Sequence, residues 1–297
     1  MIEENQLYLY EEIFQNTLNV CKGNRIKKLL KNPRKILKAK FLEIIANKFC
    51  KALKIKGKTF WGEEISLVIP DRVSLSILRY GFFEEGLTKM ILKYLKPGMV
   101  FIDIGAHIGY YSMLSSFIVG EKGMVYSFEP TPKTYQILKQ NIKRKNIIIN
   151  NYAVFSKETT IKFNDYGSKY SAFNSFKEAR LDKLILKNLT PVNINVKTIT
   201  LDKYIEIQKI QPDFVKIDVE NAELEVLKGA KKTIEKFHPI ISIEVGDFGL
   251  NDRHSLECVS LLNNYGYQAY EYKDNKIIKH NIKDKYEYDN ILFLYQK

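Results

Sequence analysis

The sequence predicts an α/β protein built on a doubly wound, mostly parallel sheet, with a helical segment in front of it. Three observations predict this. From residue 100 onward, apolar runs of strand length alternate with helical patterns, and such a βαβαβ rhythm packs only with right-handed crossovers. The first of these runs, Val100-Phe101-Ile102-Asp103-Ile104, is apolar apart from Asp103, as expected of a strand buried on both faces. It breaks into a glycine turn, Gly105-Ala106-His107-Ile108-Gly109, and an apolar helix follows. Strand, glycine turn and helix together aim backbone N–H groups and a positive helix end at a ligand.

Taken in order, residues 7–55 read as two or three helices. Ile26, Leu29 and Leu30 share one face before Asn32-Pro33 interrupts, and Ile36, Leu37, Phe41, Leu42, Ile44, Ile45, Phe49 and Leu53 recur at helical spacings with lysines between. Gly57 and Gly62 mark a boundary, and residues 65–69 form a strand stopped by Pro70-Asp71. Residues 74–79 form a helical turn. After Gly81-Phe82-Phe83-Glu84-Glu85-Gly86, a helix over 87–95 is closed by Lys96-Pro97-Gly98. Strands are then expected at 100–104, 124–128, 147–153, 214–219, 240–245, 267–272 and 291–295, seven in all. Helices are expected at 110–119, 131–143, 201–207, 222–236 and 255–264, that at 131–143 opening on Thr131-Pro132. The rhythm pauses between Val154 and Thr200, where 160–163 and 192–199 read as a strand pair. The polar stretch 164–175 reads as a surface loop, and a long loop in a regular α/β domain is often functional.

The chain has 297 residues, 45% of them hydrophobic, enough for one large α/β domain with an extension. Its formal charge of +13 is localised. Residues 25–58 carry thirteen Lys or Arg against one acid, Glu43, a net +12. Two uses suit this segment: a helical cap whose lysines are simply solvated, or a basic amphipathic surface in peripheral contact with anionic membrane. Nucleic acid is not expected, since no nucleic-acid motif accompanies the charge. Cys21, Cys50 and Cys258 are too few and too scattered for a disulfide framework or a zinc site, which suits a reducing compartment. With no secretory signal at the N-terminus and no run of about 18 apolar residues, a cytoplasmic location is expected, if membrane-associated then at the inner face.

Ligands in open α/β sheets bind outside the carboxyl ends of the strands. The first strand ends at Gly105-Ala106-His107, the second at Glu129-Pro130, the third near Asn151-Tyr152-Ala153, the fourth at Asp218-Val219-Glu220 after Lys216, and the fifth at Glu244. The G-x-x-x-G spacing departs from the G-x-G-x-x-G that cradles a pyrophosphate. An acidic rim repels polyphosphate and suits a cation. A sulfonium bearing ribose and adenine fits it, with Asp103 and the glycine turn at the amino-acid part and Glu129 at the ribose diol.

The motifs Phe101-Ile102-Asp103-Ile104-Gly105-Ala106-His107-Ile108-Gly109-Tyr110-Tyr111-Ser112, Ser127-Phe128-Glu129-Pro130, Thr200-Leu201-Asp202, Lys216-Ile217-Asp218-Val219-Glu220 and 223–230 stand in an order that resembles the FkbM family of S-adenosylmethionine-dependent methyltransferases. The resemblance covers about residues 71–245. His107 stands where the family usually has Asn, and Asn221 where it has Gly; the latter implies an unusual backbone angle, which Asn tolerates. The resemblance implies a Rossmann-like class I methyltransferase domain over 59–297, strand order 3-2-1-4-5-7-6 with an antiparallel last strand; the basic helical extension over 1–58 lies outside it. It implies S-adenosyl-L-methionine as cofactor, held by Asp103, Gly105, Ala106, His107, Gly109, Tyr110, Glu129, Pro130 and Ala153. It also implies O-methylation of a carbohydrate or small-molecule acceptor, typically a sugar hydroxyl in a glycan. Asp218 and Glu220 are the candidates for positioning the acceptor and taking its proton. Lys216 shares their sheet face and is either catalytic or ion-paired to a neighbouring acid. Glu244, Ser171 and Asn174 are candidates for substrate contact. Asp218, Glu220 and Glu244 could also hold a divalent ion through oxygen ligands, but no metal is assigned. His238, His254 and His280 read as surface or capping residues, and Trp61 as either a sugar-stacking or a packing residue.

Two other readings compete with the enzyme. One is a non-catalytic module that keeps the fold and docks on membrane or acidic polymer through its basic helices; the retained Asp103, Glu129 and Asp218 argue against it. The other, an NAD-dependent oxidoreductase, lacks its glycine fingerprint.

Overall fold

The structure, a computed structural model, describes residues 4–49, 51–176, 187, 189–247 and 254–296. Cys50 therefore lies outside the described residues; Cys21 is a free thiol and Cys258 is buried in the core. Three helices open the chain: α1 (Glu4–Cys21), α2 (Arg25–Lys31) and α3 (Pro33–Lys48). Asn24 starts α2 by accepting the Lys27 N–H at 2.9 Å, and Pro33 starts α3 at a position where no N–H is needed. A hairpin of β1 (Leu53–Lys58) and β2 (Glu64–Ile69) follows, paired from Leu53↔Ile69 to Lys58↔Glu64. A division of the chain after residue 58 would part these two strands. Phe14 and Leu18 of α1 are fully buried, in one core with Leu67, Phe101 and Leu114, so the extension shares its packing with the sheet.

After α4 (Arg72–Tyr80) and α5 (Glu85–Tyr94) come β3 (Val100–Ile104), α6 (Tyr110–Val119), β4 (Met124–Phe128), α7 (Pro132–Asn141) and β5 (Ile147–Asn150). Next are β6 (Ala153–Val154), β7 (Thr160–Asp165), β8 (Val192–Ile199), α8 (Leu201–Gln208), β9 (Phe214–Ile217), α9 (Glu223–Lys228) and α10 (Lys231–Phe237). The chain closes with β10 (Ile240–Val245), α11 (His254–Asn264), β11 (Tyr267–Lys273), β12 (Lys276–Lys279) and β13 (Asp289–Tyr295). The main sheet runs β12-β11-β13-β10-β9-β3-β4-β5. Pairing is parallel from β10 to β5, and β13 is antiparallel to both its neighbours. The sheet has eight strands where seven were expected: Asp274 and Asn275, both at positive φ, turn β11 back into β12, which extends the edge. The strand pair expected around 160 and 192 forms as antiparallel β7 and β8 in a small separate sheet, order β6-β8-β7. No helix among the described residues is long and apolar enough to cross a membrane.

Strand alternation splits the core into two layers. Phe101, Val125 and Phe214 face α1, α3, α4, α5 and α6, whereas Ile102, Ile104, Val215, Ile217 and Ile243 face α8, α9, α10 and α11. Trp61 belongs to the first layer. It is buried against Phe60 and Tyr110, at ring-centroid distances of 5.0 and 5.4 Å, so it packs and does not stack on sugar. His254 and His280, expected in surface or capping positions, are also buried. His254 Nε2 lies 2.6 Å from Glu223, and His280 lies 3.0 Å from Glu271 and 3.1 Å from the Tyr286 hydroxyl. His238 caps the end of α10 in a left-handed conformation and stacks on Tyr295.

At the point where strand order reverses, between β3 and β9, the two backbones nearly touch. Gly105 has φ +79°, and a Cβ added there would stand 1.7 Å from the Asp218 carbonyl oxygen. Gly105→Ala therefore adds a conformational penalty to a backbone collision, and should lower unfolding free energy by at least about 2 kcal/mol. Urea denaturation of the variant beside wild type measures it.

Candidate active site

A row of buried polar side chains crosses the centre of an otherwise apolar sheet. Ser127, Asp103, Lys216 and Ser242 are in direct register on β4, β3, β9 and β10, and all are essentially inaccessible. A charge removed from water must be paired and hydrogen-bonded. Lys216 Nζ meets Asp103 Oδ1 at 3.1 Å, donates to the Gly105 carbonyl at 3.0 Å, reaches Asp218 Oδ2 at 3.4 Å and lies 5.3 Å above the Tyr111 ring. The other Asp103 oxygen accepts the Ser112 hydroxyl at 2.6 Å, which in turn accepts that of Ser127 at 2.8 Å. Burial alone would lower the pKa of Lys216, but the charges of Asp103 and then Asp218 raise it above the usual lysine range. Lys216 therefore remains an ammonium that donates hydrogen bonds and cannot accept a proton.

Above this row, at the carboxyl ends of β3, β4, β9 and β10, lies a cavity that holds about 1110 Å³ of empty space when the open solvent at its mouth is included. Of the residues singled out from sequence, Gly105, Ala106, His107, Tyr110, Glu129, Pro130, Ala153, Ser171, Asn174, Lys216, Asp218, Glu220 and Glu244 line it. Two do not. Asp103 is turned away into the ion pair with Lys216, because its place in the strand faces α6. Gly109, at φ +93°, faces α7: a Cβ there would stand 2.6 Å from Leu138, so this glycine lets the turn approach that helix.

Glu129 forms one wall. It is buried, and its two oxygens accept the N–H groups of His107 at 3.0 Å and Thr131 at 2.9 Å. Desolvation raises its pKa, against the lowering effects of His107 and these hydrogen bonds. His107 holds a left-handed backbone at φ +49° to make this contact. Its Nε2 lies 2.9 Å from Ser171 Oγ and 3.9 Å from Asp71, so the ring joins the β3 turn to the segment after β7. That segment was expected to be a surface loop. Its Ser171, Ala172, Phe173 and Asn174 line the cavity, and Asn174 Nδ2 donates to Thr131 Oγ1 at 3.3 Å.

The opposite wall is acidic. Asp218, Glu220 and Glu244 offer carboxylate oxygens within 4.8 Å of one another. Glu220 and Asn221 turn this corner at φ +48° and +72°, and Asn221 is where an unusual angle was expected. Sequence reading missed Arg72, Tyr111 and Tyr288, which also line the cavity, and Glu84 beneath it. Glu84 accepts the Tyr111 hydroxyl at 2.9 Å and is hydrogen-bonded to Tyr288, 204 residues away. Its only local signal was its place between two glycines. Burial, and then the charge of Asp218, raise the pKa of Glu84.

Two outcomes follow from these charges. Lys216→Met leaves Asp103 buried and unpaired, and should cost about 3–5 kcal/mol of stability, much of it recovered in Lys216→Met/Asp103→Asn. Urea unfolding of the double-mutant cycle measures both. For Glu84, a folded pKa raised above the ordinary 4.5 means that its ionisation opposes folding, so its contribution falls as pH rises from below 4.5 through the folded pKa. Glu84→Gln removes that titration. Its Tm relative to wild type should be higher at pH about 7 than at pH about 4, as thermal scans at the two pH values will show.

Comparison with known proteins adds to this geometry. Among curated proteins, the chain is 29% identical over 161 residues to the hexuronic acid methyltransferase AglP of Haloferax volcanii, covering 53% of this chain and 61% of that protein. It is 24% identical over 122 residues to a probable cobalt-precorrin-6B C(15)-methyltransferase (decarboxylating) of Sulfurisphaera tokodaii, covering 40% of this chain and 62% of that one. The matches thus span about six tenths of the length of these relatives. Among solved structures, the methyltransferase FkbM of Methylobacillus flagellatus KT superposes at TM-score 0.42 and 17% identity, over 76% of this chain and 55% of that one. Fibrillarin of Aeropyrum pernix, solved with natively bound S-adenosyl-L-methionine, superposes at 0.42 and 12%, over 82% and 99%. The family model of the methyltransferase FkbM domain matches residues 103–269, more than half of the chain, from the buried Asp103 into β11, and the chain belongs to that family.

Proposed function

We propose that this chain transfers the methyl group of S-adenosylmethionine to a hydroxyl of a sugar. The observation that carries the reading is one cavity with a buried acid at each side, Glu129 facing the Asp218, Glu220 and Glu244 cluster across the switch point of the sheet. The residues present suit this cofactor. Glu129 retains acceptor capacity for a ribose diol beyond the two N–H groups it already holds. Phe155, Phe163 and Phe176 form an apolar side for a flat base, and the acids favour a sulfonium over a polyphosphate. When bound, S-adenosylmethionine supplies an electrophilic methyl group.

The chain's own residues do the rest. Asp218 and Glu220 orient the acceptor hydroxyl and take its proton, and Glu244 holds a neighbouring hydroxyl. Lys216 keeps Asp218 in place and offsets part of the charge gathered there. Holding oxygen and methyl in line contributes about 7–11 kcal/mol in favourable cases. The relationship to a hexuronic acid methyltransferase supports an acidic sugar as acceptor. Arg72 suits its carboxylate: it stands at the exposed margin, 5.3 Å from the Tyr288 ring, and among the described residues it has no carboxylate partner.

S-adenosylhomocysteine at millimolar concentration should raise the Tm of the wild type, and Glu129→Ala should abolish the shift. An unchanged wild-type Tm would sink the proposal. With hexuronic-acid oligosaccharides as acceptors, methyl gain read by mass spectrometry should fall roughly 10²–10⁴-fold in Glu220→Gln, while the shift by S-adenosylhomocysteine persists.

A further inference from the structure

The outer face of the N-terminal extension combines two features that a solvated cap does not need together. On α3, Ile36, Ala39, Glu43 and Ala46 turn inward; Ala39 and Ala46 are buried, and Glu43 pairs with Arg79 of α4 at 3.1 Å. The opposite side should then be polar. Instead Leu37, Phe41 and Ile44, at successive spacings of four and three, stand 58%, 63% and 53% exposed along its centre. Arg34 and Lys48 continue the same line at its two ends, and Lys38 and Lys40 flank it. Before it, α2 exposes Ile26 and Leu30 among Lys27, Lys28 and Lys31, and after it the outward residues of β1 are Lys54, Lys56 and Lys58. Among the described residues, Lys40 (to Glu43) and Lys56 (to Glu64) are the cations from Lys27 to Lys58 that meet a carboxylate.

We infer that this face is a docking surface for an anionic lipid bilayer, α3 lying in the interface with Leu37, Phe41 and Ile44 inserted and the surrounding lysines and arginine on the lipid phosphates. Charge complementarity identifies the occupant. The segment carries +12 over residues 25–58, so a second copy of the same face is repelled. A nucleic-acid backbone would take the cations but offers no place for three large apolar side chains at the centre of the face. A lipid interface accepts both, each cation and each buried apolar group adding to the affinity. α3 packs on α4, whose first turn, Arg72 and Val73, borders the cavity, so docking holds the cavity at a fixed relation to the membrane.

The full chain is tested by vesicle sedimentation, with phosphatidylcholine alone and with phosphatidylglycerol added. It should sediment with the anionic vesicles and remain in solution with the neutral ones. Leu37→Ser/Phe41→Ser/Ile44→Ser should lower partition at least about tenfold, as should Arg34→Gln/Lys38→Gln/Lys48→Gln, the latter with a weaker salt dependence. All six side chains are exposed, so an unchanged Tm and an unchanged shift by S-adenosylhomocysteine separate loss of docking from loss of fold. The inference is overturned if the apolar variant partitions like wild type, or if the wild type stays in solution with anionic vesicles. It is equally overturned if the apolar substitutions convert a dimer to a monomer in light scattering without changing sedimentation. A duplex DNA probe bound more tightly than the vesicles, with affinity indifferent to the apolar substitutions, would assign the face to nucleic acid instead.

Discussion

The buried ion pair between Asp103 and Lys216 is the interaction on which the centre of this fold depends. It joins the two strands at which the sheet reverses its order, and its members are adjacent in register although 113 residues apart in the chain. Two charges in an apolar sheet are costly unless every lone pair and proton is satisfied. Here the serines on one side, the Gly105 carbonyl and Asp218 on the other complete the set. The consequence is geometric: the ammonium holds the end of β9 against the turn after β3, and at that seam Gly105 cannot carry a side chain. The crevice that opens above is the one where α/β sheets of this kind bind their ligands.

From that seam, charge is distributed unequally over the cavity. Glu129 is occupied with the backbone of the β3 turn, which it fixes through the N–H of His107, and its remaining acceptor capacity faces the cavity. On the far side, Asp218, Glu220, Glu244 and the deeper Glu84 crowd four carboxyl groups around one ammonium. Burial, and then the charge of Asp218, favour the neutral form of Glu84. A protein gains nothing in stability from such crowding. It is the kind of cost that sites of chemistry retain.

Several parts of this arrangement were legible in the residues. The run from Val100 to Tyr111 had to be strand, turn and helix, since its apolar density, two glycines and helix length admit little else. Glu129, Asp218, Glu220 and Glu244 were placed at one edge because each ends a strand, and all four line the cavity. Other parts were misread for identifiable reasons. Asp103 was assigned to the ligand because it precedes the glycine turn, but a strand's period of two does not say which face meets a ligand and which meets a helix. The stretch 164–175 reads as a functional surface loop, and its Ser171 and Asn174 line the cavity; their bonds to His107 and Thr131 join distant elements and leave no local signal. His254 and His280 read as surface or capping residues because their partners, Glu223, Glu271 and Tyr286, leave no signal next to them in the sequence.

What the sequence by itself determined is the succession of elements, the acids at the strand ends and the family to which they belong, since propensity, periodicity and motif order are properties of neighbouring residues. What only the tertiary structure decided is which of those acids line the cavity and which are spent on holding the sheet. That depends on register. Asp103 stands opposite Lys216 because β3 and β9 pair in this alignment, and Glu84 reaches Tyr288 because the turn before α5 packs beside the start of β13. Contacts at such separation leave no periodic trace in a sequence, because each partner alone is only an isolated charge in an apolar run or a polar residue in a loop.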